Sequence, residues 1–178
     1  VLGKPDAQLT EETLTLGLDE RQAEDDRLQA LDYLNMLVHN IDDTNDLKRL
    51  VLWKSLHNLL LVSSMNDTLE MQTLRIIGTA LRNIPAAQLA YLHLDPLPTF
   101  LKFLSPSSNS PETRSRALCA LSGLLKLNAA AVQMIGMVGE WSALRMCLEY
   151  SEIHVRKQIT FLLNTLLPTS SSQVNNQT

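Results

Sequence analysis

Aromatic residues are scarce in this chain, at 4% of 178 residues, and it holds only six glycines and two cysteines. Leucine and alanine dominate a 45% hydrophobic content instead. That balance points to an all-helical protein with one sizeable core. Two cysteines make no disulfide framework, and Cys119 and Cys147 both fall in apolar helical runs, where they are read as small buried hydrophobes. No apolar run reaches the ~18 residues of a membrane span. The longest, at residues 56–62, is broken by His57 and Asn58. No dense Lys/Arg stripe interleaved with aromatics is present, which argues against nucleic acid as a partner.

Known chemical motifs are missing too. There is no glycine-rich phosphate loop, and the serines sit in polar breaks without a nucleophile elbow. His39, His57, His93 and His154 lie in four separate segments, none at metal-ligand spacing from another ligand, and are read as surface or cap residues. The run from Asp42 to Asp46 looks like the start of a calcium loop, but it lacks the glycine at the sixth place and the closing glutamate. The sequence therefore predicts no enzyme, no cofactor and no metal.

Charge is present but uneven. The net charge is −4, yet residues 1–46 hold twelve of the nineteen acids and three of the fifteen bases. That leaves −9 on the first segment and +5 on the rest, and a mildly basic body suits an acidic partner surface. The acidic start, LTEETLTLGLDE, reads as a solvated capping helix with Thr10 as N-cap.

The rest of the chain repeats. Polar breaks at 63–67, 105–112 and 149–152 are each followed by a long helical pattern: TLEMQTLRIIGTALRN, TRSRALCALSGLLKLN and IHVRKQITFLLNTLL. LQALDYLNMLVHN fits the same frame upstream, and Trp53 and Trp141 fall in apolar helices as core residues. Asn40, Asn83 and Asn128 close the first three long helices at intervals of 43 and 45. A period in the low forties with two or three helices per unit predicts a right-handed armadillo-type superhelix of about four repeats. One helical hairpin cannot bury its apolar stripe alone, whereas stacked hairpins share a continuous core and leave a concave face. The three asparagines fit helix C-terminal caps, since asparagine tolerates the left-handed conformation. The alternative is that they line the concave face.

Gly78 and Gly123 stand five residues before Asn83 and Asn128, with Asn35 and Asn164 at the same point in the outer units. A helix interior glycine costs ~1 kcal/mol against alanine. The pair therefore implies close helix packing or close approach of a bulky partner, and packing is the favoured reading. In ordinary armadillo arrays this point carries an asparagine ladder that grips an extended peptide. A ladder with glycine in the middle does not suit that task.

The segments LDYLNMLVHNIDDTNDL, LVLWKSLHNLL, LRIIGTALRN and RALCALSGLLKLN resemble the armadillo-type nucleotide-exchange factors of the 70-kDa heat-shock chaperones. That group has a cytosolic Fes/heat-shock-protein-binding branch and an endoplasmic-reticulum Sil branch. HNIDDTND is the most specific piece, and IIGTA leans towards the fungal cytosolic branch. The resemblance covers roughly residues 28–167 as the repeat domain. Residues 1–27 match only loosely as a capping region, and 168–178 form a polar tail. The chain opens on Val1 and is read as a fragment or processed product, with further helical sequence expected beyond Leu167.

The resemblance implies a monomer that clasps the nucleotide-binding domain of a 70-kDa chaperone, accelerates ADP release and promotes client release. It implies a cytoplasmic protein, with the endoplasmic-reticulum lumen as the alternative. The competing function is an armadillo peptide-binding scaffold. Asp42, Asp43, Thr44 and Asn45 match the family loop that faces the chaperone. Arg156, Lys157 and Gln158 match the other concave contact, with Gln158 where relatives often carry a basic residue. Arg82, Asn83 and Asn128 complete the expected partner-facing set.

Overall fold

The computed structural model describes residues 6–38, 46–62, 66–137 and 141–166, and these contain helices and no strand. The all-helical solenoid predicted from the period is the fold observed. Helices α1 (Asp6–Leu18) and α2 (Glu24–Leu37) open the chain, followed by α3 (Asp46–Leu61) and α4 (Asp67–Leu81). Two complete units follow, each made of two short helices and one long one. The first is α5 (Pro85–Leu92), α6 (Pro96–Lys102) and α7 (Pro111–Leu125). The second is α8 (Ala129–Met137), α9 (Trp141–Met146) with a 3₁₀ turn at Cys147–Glu149, and α10 (Ile153–Leu166). None of the described helices is by itself long and apolar enough to cross a membrane.

The polar breaks start the long helices by specific bonds. Asn66 accepts a hydrogen bond from the Leu69 amide at 2.9 Å to cap α4. Ser110 does the same for α7 through the Thr113 amide at 3.2 Å, with Pro111 at the first helical position. Thr10 is not a cap: α1 begins at Asp6, so Thr10 lies inside the helix.

The long helices α2, α4, α7 and α10 stack in order, and their inward leucines and isoleucines make one continuous core. Leu31, Leu34, Leu74, Ile77, Leu81, Leu121 and Leu124 are each fully buried. Three of the eight aromatics meet: Trp53 packs tilted against Tyr91 at 4.9 Å between ring centroids, and Tyr91 against Phe100 at 5.8 Å. Trp141 packs against the core from a half-buried position. His57 is not a surface residue: it is 7% exposed, and its Nδ1 lies 3.2 Å from the Tyr91 hydroxyl. His93 caps α5 by contact with the Leu89 carbonyl at 2.7 Å, and His154 is exposed. His39 lies outside the described residues.

Polar clips join successive long helices. Asp32 of α2 accepts from Gln72 at 3.0 Å and Arg75 at 3.1 Å, both on α4. Asp67 of α4 accepts from the Thr113 hydroxyl of α7 at 2.6 Å. Arg114 of α7 donates to Glu152, just before α10, at 2.7 Å. Hydrophobic stacking alone would let helices slide, so these bonds fix the register of one unit on the next.

Candidate functional site

Gly78 and Gly123 bring the backbones of α4 and α7 together. A Cβ on Gly78 would lie 3.1 Å from the Ala120 nitrogen, and one on Gly123 would lie 3.2 Å from the Gly78 carbonyl oxygen. Close packing, the favoured reading of the glycines, is what the structure contains. The rungs of a peptide-gripping ladder are therefore filled by neighbouring backbone. Of the outer positions, Asn35 is 7% exposed, and only Asn164 faces solvent.

Further along the stack, Gln158 of α10 reaches the Cys119 sulfur of α7 at 3.5 Å. Between them lies a groove of about 510 Å³, lined by the end of α4, one face of α7 and one face of α10. Arg82 and Asn83 come from the end of α4, Leu118, Cys119, Ser122, Gly123 and Lys126 from along α7, and Lys157, Gln158 and Phe161 from α10. Arg82, Lys126 and Lys157 give the lining three positive charges and no carboxylate. Phe161 is 69% exposed, unusual for an aromatic in so aromatic-poor a chain.

The α10 wall is held by a part-buried ion pair. Arg114 is 3% exposed and packs 4.9 Å over the Tyr150 ring while bonding Glu152. That hydrogen bond holds the Glu152 carboxyl below the usual carboxylate range. Burial pushes the Tyr150 hydroxyl up to about 12, so it stays a neutral donor, here to the Leu104 carbonyl at 2.6 Å. Arg156 then turns back to the carbonyls of Tyr150 and Ser151. The turn before α10 is thereby fixed, and Lys157 and Gln158 are presented to the groove.

The expected partner-facing residues divide accordingly. Arg82, Asn83, Lys157 and Gln158 meet at the groove. Arg156 holds backbone carbonyls and does not line it. Asn83 is a left-handed helix terminus at φ 59°, as its capping reading requires. Asn128 is not: Leu127 takes the left-handed position at φ 58°. Asn128 is 7% exposed and instead caps the start of α8, accepting from the Ala131 amide at 3.2 Å. Being buried, Asn128 does not line the concave face. Asp42, Asp43, Thr44 and Asn45 lie outside the described residues.

Sequence reasoning missed Lys126 and Phe161. A signal for Lys126 was present in the repeat frame, where it stands three residues after Gly123 much as Arg82 stands four after Gly78. Cys119 also departs from expectation. It is half-buried on the groove wall and accepts from Gln158 at 3.5 Å, whereas Cys147 is fully buried.

Stacked helical units, glycine-mediated packing and a groove along the long helices define an armadillo-type α-solenoid. Solved structures carry the same fold at 17% identity. One is a designed armadillo repeat protein, with TM-score 0.64 over 89% of this chain and 64% of that one. Another is an engineered protein solved by the Northeast Structural Genomics Consortium, with TM-score 0.69 over 91% and 40%.

The chain is similar in sequence to the fungal Fes1 proteins. Residues 1–47 match the family described as "Nucleotide exchange factor Fes1". The resemblance therefore includes the acidic start, which the sequence reading had matched only loosely. A protein named "Hsp70 nucleotide exchange factor FES1" from Mycosarcoma maydis is 33% identical over 177 residues, covering 99% of this chain and 44% of the relative. Its namesake from Cryptococcus neoformans is 34% identical, covering 93% and 46%. That from Schizosaccharomyces pombe is 33% identical, covering 78% and 47%. The chain thus spans less than half the length of these curated relatives. Their name is that of an exchange factor, not of a catalytic enzyme class.

Proposed function

We propose that this chain is the chaperone-binding body of a nucleotide exchange factor for 70-kDa heat-shock chaperones. The observation that carries the reading is likeness along 99% of the chain to a protein named for that activity. The groove adds a surface that reads shape and charge at once. In this reading the solenoid clasps a lobe of the chaperone's nucleotide-binding domain and prefers its opened, nucleotide-poor form. By linkage, that preference weakens ADP binding by the same factor. Equal affinity for both forms would shift nothing. ADP leaves, ATP enters, and the chaperone releases its client. The solenoid needs no nucleotide, metal or cofactor and makes no covalent bond.

On this proposal the chain acts as a monomer in the cytosol, as the cytosolic branch does. Asp42, Asp43, Thr44 and Asn45 enter as a second contact on the sequence resemblance alone. The peptide-scaffold alternative is disfavoured because the middle of the asparagine ladder is packed glycine.

Stopped-flow release of a fluorescent ADP analogue from an isolated nucleotide-binding domain tests the reading. Acceleration that rises and saturates with this chain is expected. Release at the spontaneous rate at every concentration would sink it.

A further inference from the structure

We infer that the groove between α7 and α10 seats an acidic element of the chaperone's nucleotide-binding domain that also carries one apolar side chain. This rests on the exchange reading above and specifies the contact.

The argument begins with charge. Arg75 of α4 is neutralised by Asp32 at 3.1 Å. One step on, nothing does the same. Arg82, Lys126 and Lys157 have no carboxylate partner among the described residues, where the ion pairs are Arg21–Asp19, Arg75–Asp32 and Arg114–Glu152. Three like charges around one groove repel one another, and an acidic partner relieves that repulsion.

The second strand is apolar. Phe161 stands 69% exposed beside Lys157, with Leu118 and Gly123 in the same lining. An exposed aromatic sharing a groove lining with cations has the composition of a binding hot spot.

The third is polarity across the molecule. The acids are concentrated in the first 46 residues, and α1 and α2 pack at the other end of the stack from α10. An acidic partner is repelled from that end and drawn to the groove, which orients the encounter before contact. Nucleic acid would need a longer cationic track, and this groove offers three cations and one ring.

The test uses the full chain and an ADP-loaded nucleotide-binding domain. Binding and ADP release are followed for wild type, for the double reversal Lys126→Glu/Lys157→Glu, and for Phe161→Ser. The control is Lys54→Glu/Arg145→Glu, two exposed cations outside the groove. The groove reversal is expected to weaken affinity by ~10-fold or more, mostly through association, and Phe161→Ser chiefly through faster dissociation. The control should match wild type. Wild-type association should also slow between roughly 50 and 300 mM salt, a reading independent of any variant's folding. If wild type accelerates release but the groove reversal does so equally, or salt has no effect, the exchange reading stands and this inference is overturned. If wild type neither binds nor accelerates release, both fall. If wild type sediments as a dimer that Phe161→Ser dissolves, the groove belongs to a second copy and the inference is again overturned.

Discussion

The carbonyl oxygen of Gly78 lies where the Cβ of any larger residue at position 123 would be 3.2 Å away. From the other helix, Gly78 faces the Ala120 backbone, where a Cβ would lie 3.1 Å from the nitrogen. Gln88 of α5 braces the contact, donating to the Gly123 carbonyl at 2.7 Å and the Lys126 carbonyl at 3.1 Å.

Gly78→Ala and Gly123→Ala should each lower stability, although alanine is the better helix former. Backbone atoms cannot swing aside, so α4 and α7 must separate, at a cost of ~1–3 kcal/mol. The propensity gain of ~1 kcal/mol offsets only part of it. Gly136→Ala is the contrast: its Cβ would meet only the Trp141 indole nitrogen at 3.4 Å, so it should be neutral or stabilising. Thermal melts of the three variants decide. Alanine at 78 or 123 raising the melting temperature would contradict the packing account.

Leu127 is strained and gains little from its side chain, being 86% exposed at φ 58°. Leu127→Gly should therefore raise stability by about 0.5–1 kcal/mol, since the left-handed conformation costs other residues more than glycine. In a chain of this size that is a rise of ~1–4 °C in melting temperature. Asn128→Ala should move the other way by ~0.5–2 kcal/mol, because it removes the cap of α8. Chemical denaturation of both variants would show whether the signs differ.

Burial holds the His57 pKa below 6.5, outweighing the opposing pull of Asp95. The folded protein thus binds this proton less readily than the unfolded chain. The stability tied to neutral His57 is complete above about pH 6.5 and is lost as pH falls below it, down to the lowered folded pKa. Denaturation midpoints between pH 7.5 and roughly pH 5 should fall for wild type, and less steeply for His57→Gln. Equal slopes for the two would remove His57 as the cause.

Much of this architecture is legible in the sequence because repetition multiplies weak signals. One Asn66 or Ser110 is an ordinary polar residue. Set 44 positions apart, each before a long apolar pattern, they mark two helix starts. The glycine pair was legible for the same reason, though only the structure shows that Gly123 faces the Gly78 backbone and Gly78 the Ala120 backbone. Local exceptions were not legible. Asn128 was expected at the left-handed position, but Leu127 takes it, and the asparagine serves the next helix instead. His57 was misread because its partner, Tyr91, lies 34 residues away on α5. Of the groove, the α4 end and the α10 wall were foreseen. Lys126 and Phe161 were not, since a lone aromatic in a polar stripe carries no periodic signal.

The exchange account makes a thermodynamic demand that one titration can meet. Calorimetric binding of this chain to a 70-kDa chaperone's nucleotide-binding domain should be tighter without ADP than with saturating ADP. By reciprocity, the ratio of the two affinities must equal the factor by which this chain weakens ADP binding. Tighter binding to the nucleotide-free domain, with that ratio matched, is the predicted result. Equal affinity in both states, or no binding in either, would contradict it.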